Sequence, residues 1–294
     1  MAASSEIFPK YSTEAYSDES TLNTIEVCLP RPLDDLGLWI VFIHGGAWRD
    51  PAISAASFNT TIEKLSTSSL PRTGIAGYAS INYRLSPYPS HPTDPSNPSD
   101  PARNAKHPDH INDVLAALLY LQEKYRFKDD YVLVGHSCGA TLAMQVAMKR
   151  YWGSQYESTF ALELNVVPPK AIVGLEGIYD IPAFVKRHEH EPVYRDFITN
   201  AFGPSGWDVA SPVNGDYQDS SPDCDLIVLA HSDGDQLVEQ NQAALMMDAL
   251  MDQGYDRQGQ REVKWFPVTG DHDEVWQTGE AARAVEWAVK WILG

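Results

Sequence analysis

Cysteine is scarce in this chain of 294 residues. Cys28, Cys138 and Cys224 are odd in number and scattered, with no paired metal-ligand spacing. That excludes a disulfide framework and gives no sign of a metal site, so free thiols and a metal-free, cofactor-free protein are expected. Basic residues are few as well: Lys and Arg total 22 against 40 Asp and Glu, for a formal charge of -18 and a pI near 4.7. Such a surface repels phosphate backbones and anionic headgroups, which argues against nucleic-acid and membrane partners and for a small substrate without strong negative charge. Long uncharged apolar runs are missing too. The opening MAASSEIFPKYSTEAYSDES is polar and acidic where a secretory leader needs basic residues and then an apolar stretch, so the expected location is the cytoplasm. No internal repeat and no linker divides the chain, and one domain over residues 1–294 is expected. Oligomeric state is left open, a homodimer included.

What is present is an alternation. Apolar, β-branched runs trade places with helix-period segments, the pattern of a mostly parallel sheet flanked by helices. Strands are read in TLNTIEVCLP, GLWIVFIHGG, GIAGYASINYRL, YVLVGHS, KAIVGLEGIYD, DLIVLAHSDGD and EVKWFPVTGDHD, with helices between and after them. Two stretches break the rhythm. Residues 86–108, SPYPSHPTDPSNPSDPARNAKHP, hold too many prolines for helix or ladder and read as a surface loop. Residues 181–221 insert a short helical segment between two core strands, where a small helical cap could cover a site.

One serine stands between two glycines at the end of an apolar run: Gly135-His136-Ser137-Cys138-Gly139. A serine hydroxyl is a weak nucleophile at neutral pH. It needs a sharp turn to expose it, a base to take its proton and donors for the oxyanion that forms. A strong strand before Ser137 and a strong helix after it fit a nucleophile elbow. The base is expected after the last strand, where GDHDE supplies His272. The acid that fixes the imidazole is expected after the preceding strand, where SDGDQ supplies Asp235, with Asp233 as the alternative. The order serine, acid, histidine suits this architecture. The motif His44-Gly45-Gly46-Ala47-Trp48 closes another apolar strand, and the amides of Gly45, Gly46 and Cys138 are the expected oxyanion donors. Cys138 would thus act through its amide and not its sulfur. His136 reads as a packing residue.

HGGAW, INYRLSP, GHSCGA, HSDGDQLV and GDHDEVW together resemble the α/β-hydrolase fold, in its branch related to hormone-sensitive lipase. Within that branch the chain is most similar to the kynurenine formamidases (arylformamidases) of fungal type, from about Leu22 onward. The proline-rich insert and the cap sequence match nothing in that pattern. The resemblance implies hydrolysis of N-formyl-L-kynurenine to kynurenine and formate in tryptophan degradation. Trp48 and Tyr179 could stack on the substrate ring, although plain core packing is the weightier reading for each. Two other readings stay open: a general carboxylesterase on the same machinery, and a non-catalytic binding protein that keeps the pocket.

Overall fold

A computed structural model describes residues 10–30, 37–71, 74–148, 166–217, 224–256 and 261–294. Eight strands form one sheet: β1 (Tyr11–Ala15), β2 (Thr24–Cys28), β3 (Leu38–Ile43), β4 (Ile75–Ile81), β5 (Tyr131–His136), β6 (Ala171–Leu175), β7 (Leu226–Ser232) and β8 (Glu262–Val268). Their order is β1-β2-β4-β3-β5-β6-β7-β8, antiparallel across β1, β2 and β4 and parallel from β4 to β8. This is the mostly parallel sheet expected from the alternation, in the α/β-hydrolase arrangement that the motif resemblance implies.

The central strands are unbroken apolar runs because both sheet faces are covered. On one face Trp39, Val41, Ile43, Tyr131 and Leu133 meet α2 (Asp109–Tyr125) and α3 (Cys138–Ala147). On the other, Ile40, Phe42, Val132 and Val134 meet α1 (Asn59–Ser66) and the carboxyl-terminal helix. That last helix, α9 (Glu280–Leu293), buries Ala281, Ala284, Val285, Ala288 and Val289, a stripe of helical period facing the sheet.

Between β6 and β7 lie three helices: α4 (Ile181–Arg187), α5 (Pro192–Phe202) and α6 (Trp207–Ala210). They occupy the segment read as a cap, whose last residues, 218–221, fall outside the described residues. Asp180 caps α4 by accepting from the Ala183 amide at 2.9 Å. Helix α5 sets Phe197 and Phe202 against Trp48, with ring centroids 6.4 and 4.9 Å away. Asp196 on the same helix takes the Arg49 guanidinium at 2.8 Å, tying this insertion to the turn after β3.

The remaining described helices are α7 (Asn241–Met251) and α8 (Glu274–Thr278). The proline-rich stretch forms no strand and one short 3-10 turn at Pro101–Arg103. It is nevertheless anchored at several points: Leu85 donates to Ala102 O, Ser86 to Trp48 O and His107 to Ala201 O. Strand β1 was hidden in the polar amino-terminal stretch; as a half-exposed edge strand, Ser12, Thr13 and Glu14 give it no apolar signal. No helix of the described residues is long and apolar enough to cross a membrane.

Candidate active site

Strand order decides which loops meet. β3, β5, β6, β7 and β8 are consecutive neighbours, so the turns at their carboxyl ends line one edge of the sheet. The chain reverses its direction of travel across the sheet beside β3, the place where open α/β sheets form a crevice.

Ser137 stands between β5 and α3 with φ 54° and ψ -122°, left-handed backbone that a serine adopts only when its surroundings impose it. The flanking glycines explain how. A Cβ on Gly135 would strike the Gly139 backbone, and one on Gly139 would strike the Ile43 and His44 carbonyls. Only bare backbone lets helix, strand and the β3 turn approach so closely. Ser137 N donates to Leu175 O at 2.8 Å, continuing the ladder to β6, and the serine side chain makes no helix-capping bond.

His272, on the turn after β8, is 2.8 Å from Asp235 Oδ2 through its Nδ1. An ionised carboxylate only accepts, so the proton sits on Nδ1 and Nε2 is left with a free lone pair. The Asp235 side chain is fully buried, and its other oxygen accepts from the Leu237 and Val238 amides at 2.8 and 2.9 Å. Burial would raise its pKa, but the His272 hydrogen bond and charge, with these amides, outweigh it and hold the carboxyl below its usual value. Asp233 is exposed and hydrogen-bonds with Gln240, so the structure brings Asp235, and not its neighbour, to the imidazole.

Two residues brace the histidine. His136, read as packing alone, places Nε2 2.9 Å from the His272 carbonyl and sets its ring 4.7 Å from the His272 ring. Ser232 Oγ donates to Gly270 O at 2.7 Å and accepts from the Gly234 amide at 3.0 Å, joining the acid and histidine turns.

After β3 the chain turns through Gly46, Ala47 and Trp48, all at positive φ (91°, 50° and 58°). Tyr83 Oη donates to His44 O at 3.0 Å and lies 3.3 Å from Gly45 O. In a planar trans peptide the N–H points opposite to its carbonyl, so holding these two carbonyls aims the Gly45 and Gly46 amides the other way. No acceptor among the described residues takes either amide. Gly45 itself faces the elbow: a Cβ there would lie 2.7 Å from His136 Nδ1 and 3.2 Å from Ser137 Cβ. The Cys138 sulfur, expected to be idle, accepts from the Trp48 amide at 3.2 Å and locks the turn onto α3. Burial keeps it a thiol, with its pKa pushed up to about 11. His44 stacks on Tyr83 at 4.4 Å, and burial lowers its pKa to about 4, so it stays neutral.

Trp48 and Tyr179 are 0% and 1% exposed. Tyr179 lies against Gly174 and Gly177 in the core, and Trp48 against α5, so neither offers an open ring face to a ligand.

Glu176, at the end of β6, had not been singled out. It is fully buried, its φ is 51°, and its Oε2 lies 3.7 Å from both His136 Nε2 and His272 Nδ1. A signal existed: GLEGIYD sets a carboxylate at a strand end inside an apolar run. Four of the six non-glycine residues with positive φ among the described residues (Ala47, Trp48, Ser137 and Glu176) sit at these strand ends, which locates the stored backbone strain at the site. His136, Glu176 and His272 could offer ligand atoms within 4.8 Å of one another. The two imidazole nitrogens concerned, however, face a carbonyl and a carboxylate and so carry protons, which does not suit a metal.

Residues 25–250 match the BD-FAE family of α/β-hydrolases. A kynurenine formamidase-like hydrolase of Fusarium equiseti is 40% identical, with 87% of this chain and 84% of that protein covered. A kynurenine formamidase of Aspergillus versicolor is 32% identical, covering 90% and 94%. Among solved structures, an esterase of Thermogutta terrifontis with butyrate bound superposes with a TM-score of 0.65 at 16% identity, over 98% of this chain and 95% of that one. A carbohydrate esterase from gut microbiota gives a TM-score of 0.60 at 17% identity, over 94% and 98%. The fold, the strand-end turns and these likenesses agree: the chain belongs to the BD-FAE family of α/β-hydrolases, alongside the fungal kynurenine formamidases.

Proposed function

We propose that the protein hydrolyses the formamide of N-formyl-L-kynurenine to L-kynurenine and formate, with Ser137, His272 and Asp235 as its catalytic triad. The observation that carries the chemistry is the 2.8 Å His272–Asp235 contact beside a strained serine elbow; the likeness to kynurenine formamidases over most of the chain carries the substrate.

In the first half-reaction His272 Nε2 takes the Ser137 hydroxyl proton while Oγ attacks the formyl carbon. The carbonyl oxygen becomes an oxyanion received by the amides of Gly45, Gly46 and Cys138. The imidazolium returns its proton to the anilide nitrogen, the C–N bond breaks, and kynurenine leaves a formyl ester on Ser137. Water, deprotonated by the same histidine, attacks that ester, releasing formate and restoring the serine. A formyl carbon bears only hydrogen beside its carbonyl, so it suits a tight oxyanion turn, and an aryl amine leaves more readily than an alkyl amine. The helices at 181–217 would cover the site as a cap, since α5 packs on the oxyanion turn through Phe202 and Asp196.

Purified protein assayed on N-formyl-L-kynurenine and on p-nitrophenyl acetate tests this reading. The formamide is expected to give the larger kcat/KM; a larger value for the ester would replace it with a general carboxylesterase.

A further inference from the structure

We propose that Glu176 is a second acid of the catalytic histidine: an uncharged positioning residue while Asp235 holds the negative charge, and the carboxylate that takes over the Nδ1–H of His272 when Asp235 is lost. This rests on the triad assignment above.

The geometry is that of two carboxyl groups sharing one imidazole. Asp235 Oδ2 is 2.8 Å from His272 Nδ1, and Glu176 Oε2 is 3.7 Å from the same atom. Both side chains are fully buried. Yet Asp235 has two backbone amides and the imidazole, while Glu176 has only the loosely placed Ser232 amide and no hydrogen bond of full geometry among the described residues. A buried carboxylate with so little to accept is costly, and a protonated carboxyl is not. Two carboxyls crowded around one imidazole repel each other's charge and cannot both ionise easily, so one proton stays on the pair. The hydrogen-bond inventory assigns that proton to Glu176.

The residues around it agree. From β5 it faces His136; from β7 and the turn after it, the Ser232 amide and Asp235, which His231 flanks at 3.6 Å; from the turn after β8, His272 and Asp273. Burial, then the Asp235 charge, raise its pKa to about 9, with His272 opposing and Asp273 adding to the rise. Its left-handed backbone is further reason to see a selected position, since the next residue, Gly177, could adopt that conformation without strain.

Removing the charge of Asp235 removes the second-largest cause of that elevation. In Asp235→Asn, Glu176 is therefore free to ionise when His272 becomes cationic, and a shift of about 1 Å would bring Oε2 into hydrogen-bond range of Nδ1. Deleting the acid of a triad ordinarily costs roughly ten-thousandfold in kcat. Here Asp235→Asn should lose only about a hundredfold near pH 7, and the loss should shrink as pH rises and Glu176 deprotonates. The double variant Asp235→Asn/Glu176→Gln should fall to the full ten-thousandfold loss at every pH.

The experiment is the pH profile of kcat/KM for N-formyl-L-kynurenine in wild type, Asp235→Asn, Glu176→Gln and the double variant, with Ser137→Ala and His272→Ala beside them. Folding is checked by near-UV circular dichroism, and Glu176→Met replaces Glu176→Gln if the amide variant does not fold. A pH-dependent rescue in Asp235→Asn that vanishes in the double variant supports the second acid. With Ser137→Ala and His272→Ala inactive, equal activity of Asp235→Asn and the double variant across the pH range overturns it and leaves the triad standing. Wild-type activity in Ser137→Ala or His272→Ala would instead overturn the triad.

Discussion

Tyr83→Phe removes one oxygen that never meets the substrate, and the structure gives it two separable costs. The hydroxyl is buried and donates to the carbonyls of His44 and Gly45, 3.0 and 3.3 Å away, with the Cys138 sulfur at 3.6 Å. Its loss leaves buried acceptors unsatisfied, worth about 1–3 kcal/mol of stability. Catalysis should suffer through a different route. Losing an oxyanion donor outright costs about 3–4 kcal/mol. Phenylalanine deletes no donor; it releases the carbonyls that aim two amides, so a part of that figure, about 1.4–2.7 kcal/mol or a ten- to hundredfold fall in kcat, is expected. KM should barely move, because these amides act on the developing oxyanion more than on the ground-state carbonyl. The assay is steady-state formamide hydrolysis beside urea unfolding. A variant less stable by 2 kcal/mol but with wild-type kcat would refute the argument that Tyr83 directs the amides of Gly45 and Gly46.

Other outcomes follow from the same geometry. Ser137→Ala and His272→Ala should keep the wild-type circular dichroism spectrum and lose roughly a thousandfold or more in kcat/KM. Asp233→Asn should stay within about twofold of wild type, since that exposed carboxylate holds Gln240 and not the imidazole; a severe loss would reverse the acid assignment. Gly45→Ala sets a methyl 2.7 Å from His136 Nδ1, and should lower kcat about a hundredfold with a stability loss of about 1–3 kcal/mol, read from kinetics and urea unfolding. Burial lowers the pKa of His44 to about 4 and those of His107 and His110 to about 3. Between those values and about 6.5 the unfolded chain binds protons that the native one refuses. Stability should therefore fall as pH drops through that window, by up to about 1.4 kcal/mol per pH unit for each histidine. Urea midpoints that stay flat from pH 6.5 to 4.5 would contradict their buried, neutral state.

Much of this architecture was legible because both sheet faces are covered: LWIVFI, YVLVGH and LIVLAHS announce themselves as strands by being apolar throughout. Ser137 and Asp235, the proposed nucleophile and acid, could be picked out because each follows such a strand, whereas the proposed base, His272, follows the mixed strand EVKWFPV. What escaped was whatever depends on packing. β1 is polar because it lies at the sheet edge. His136 became a brace only once the turn after β8 was placed beside it, and the Cys138 sulfur found its partner 90 residues away. Aromatic character is visible in a sequence while exposure is not: Trp48 and Tyr179 could be read either as substrate contacts or as core, and both are buried. Glu176 carried the plainest local signal of these, and its meaning required knowing that β6 lies between β5 and β7.

Intact-mass and peptide mapping after reaction with a fluorophosphonate, with and without excess N-formyl-L-kynurenine, tests Ser137 as the nucleophile. A single adduct on Ser137 is expected, slowed by the formamide and absent from His272→Ala over the same interval. An unlabelled protein, or an adduct on any other residue, would contradict it.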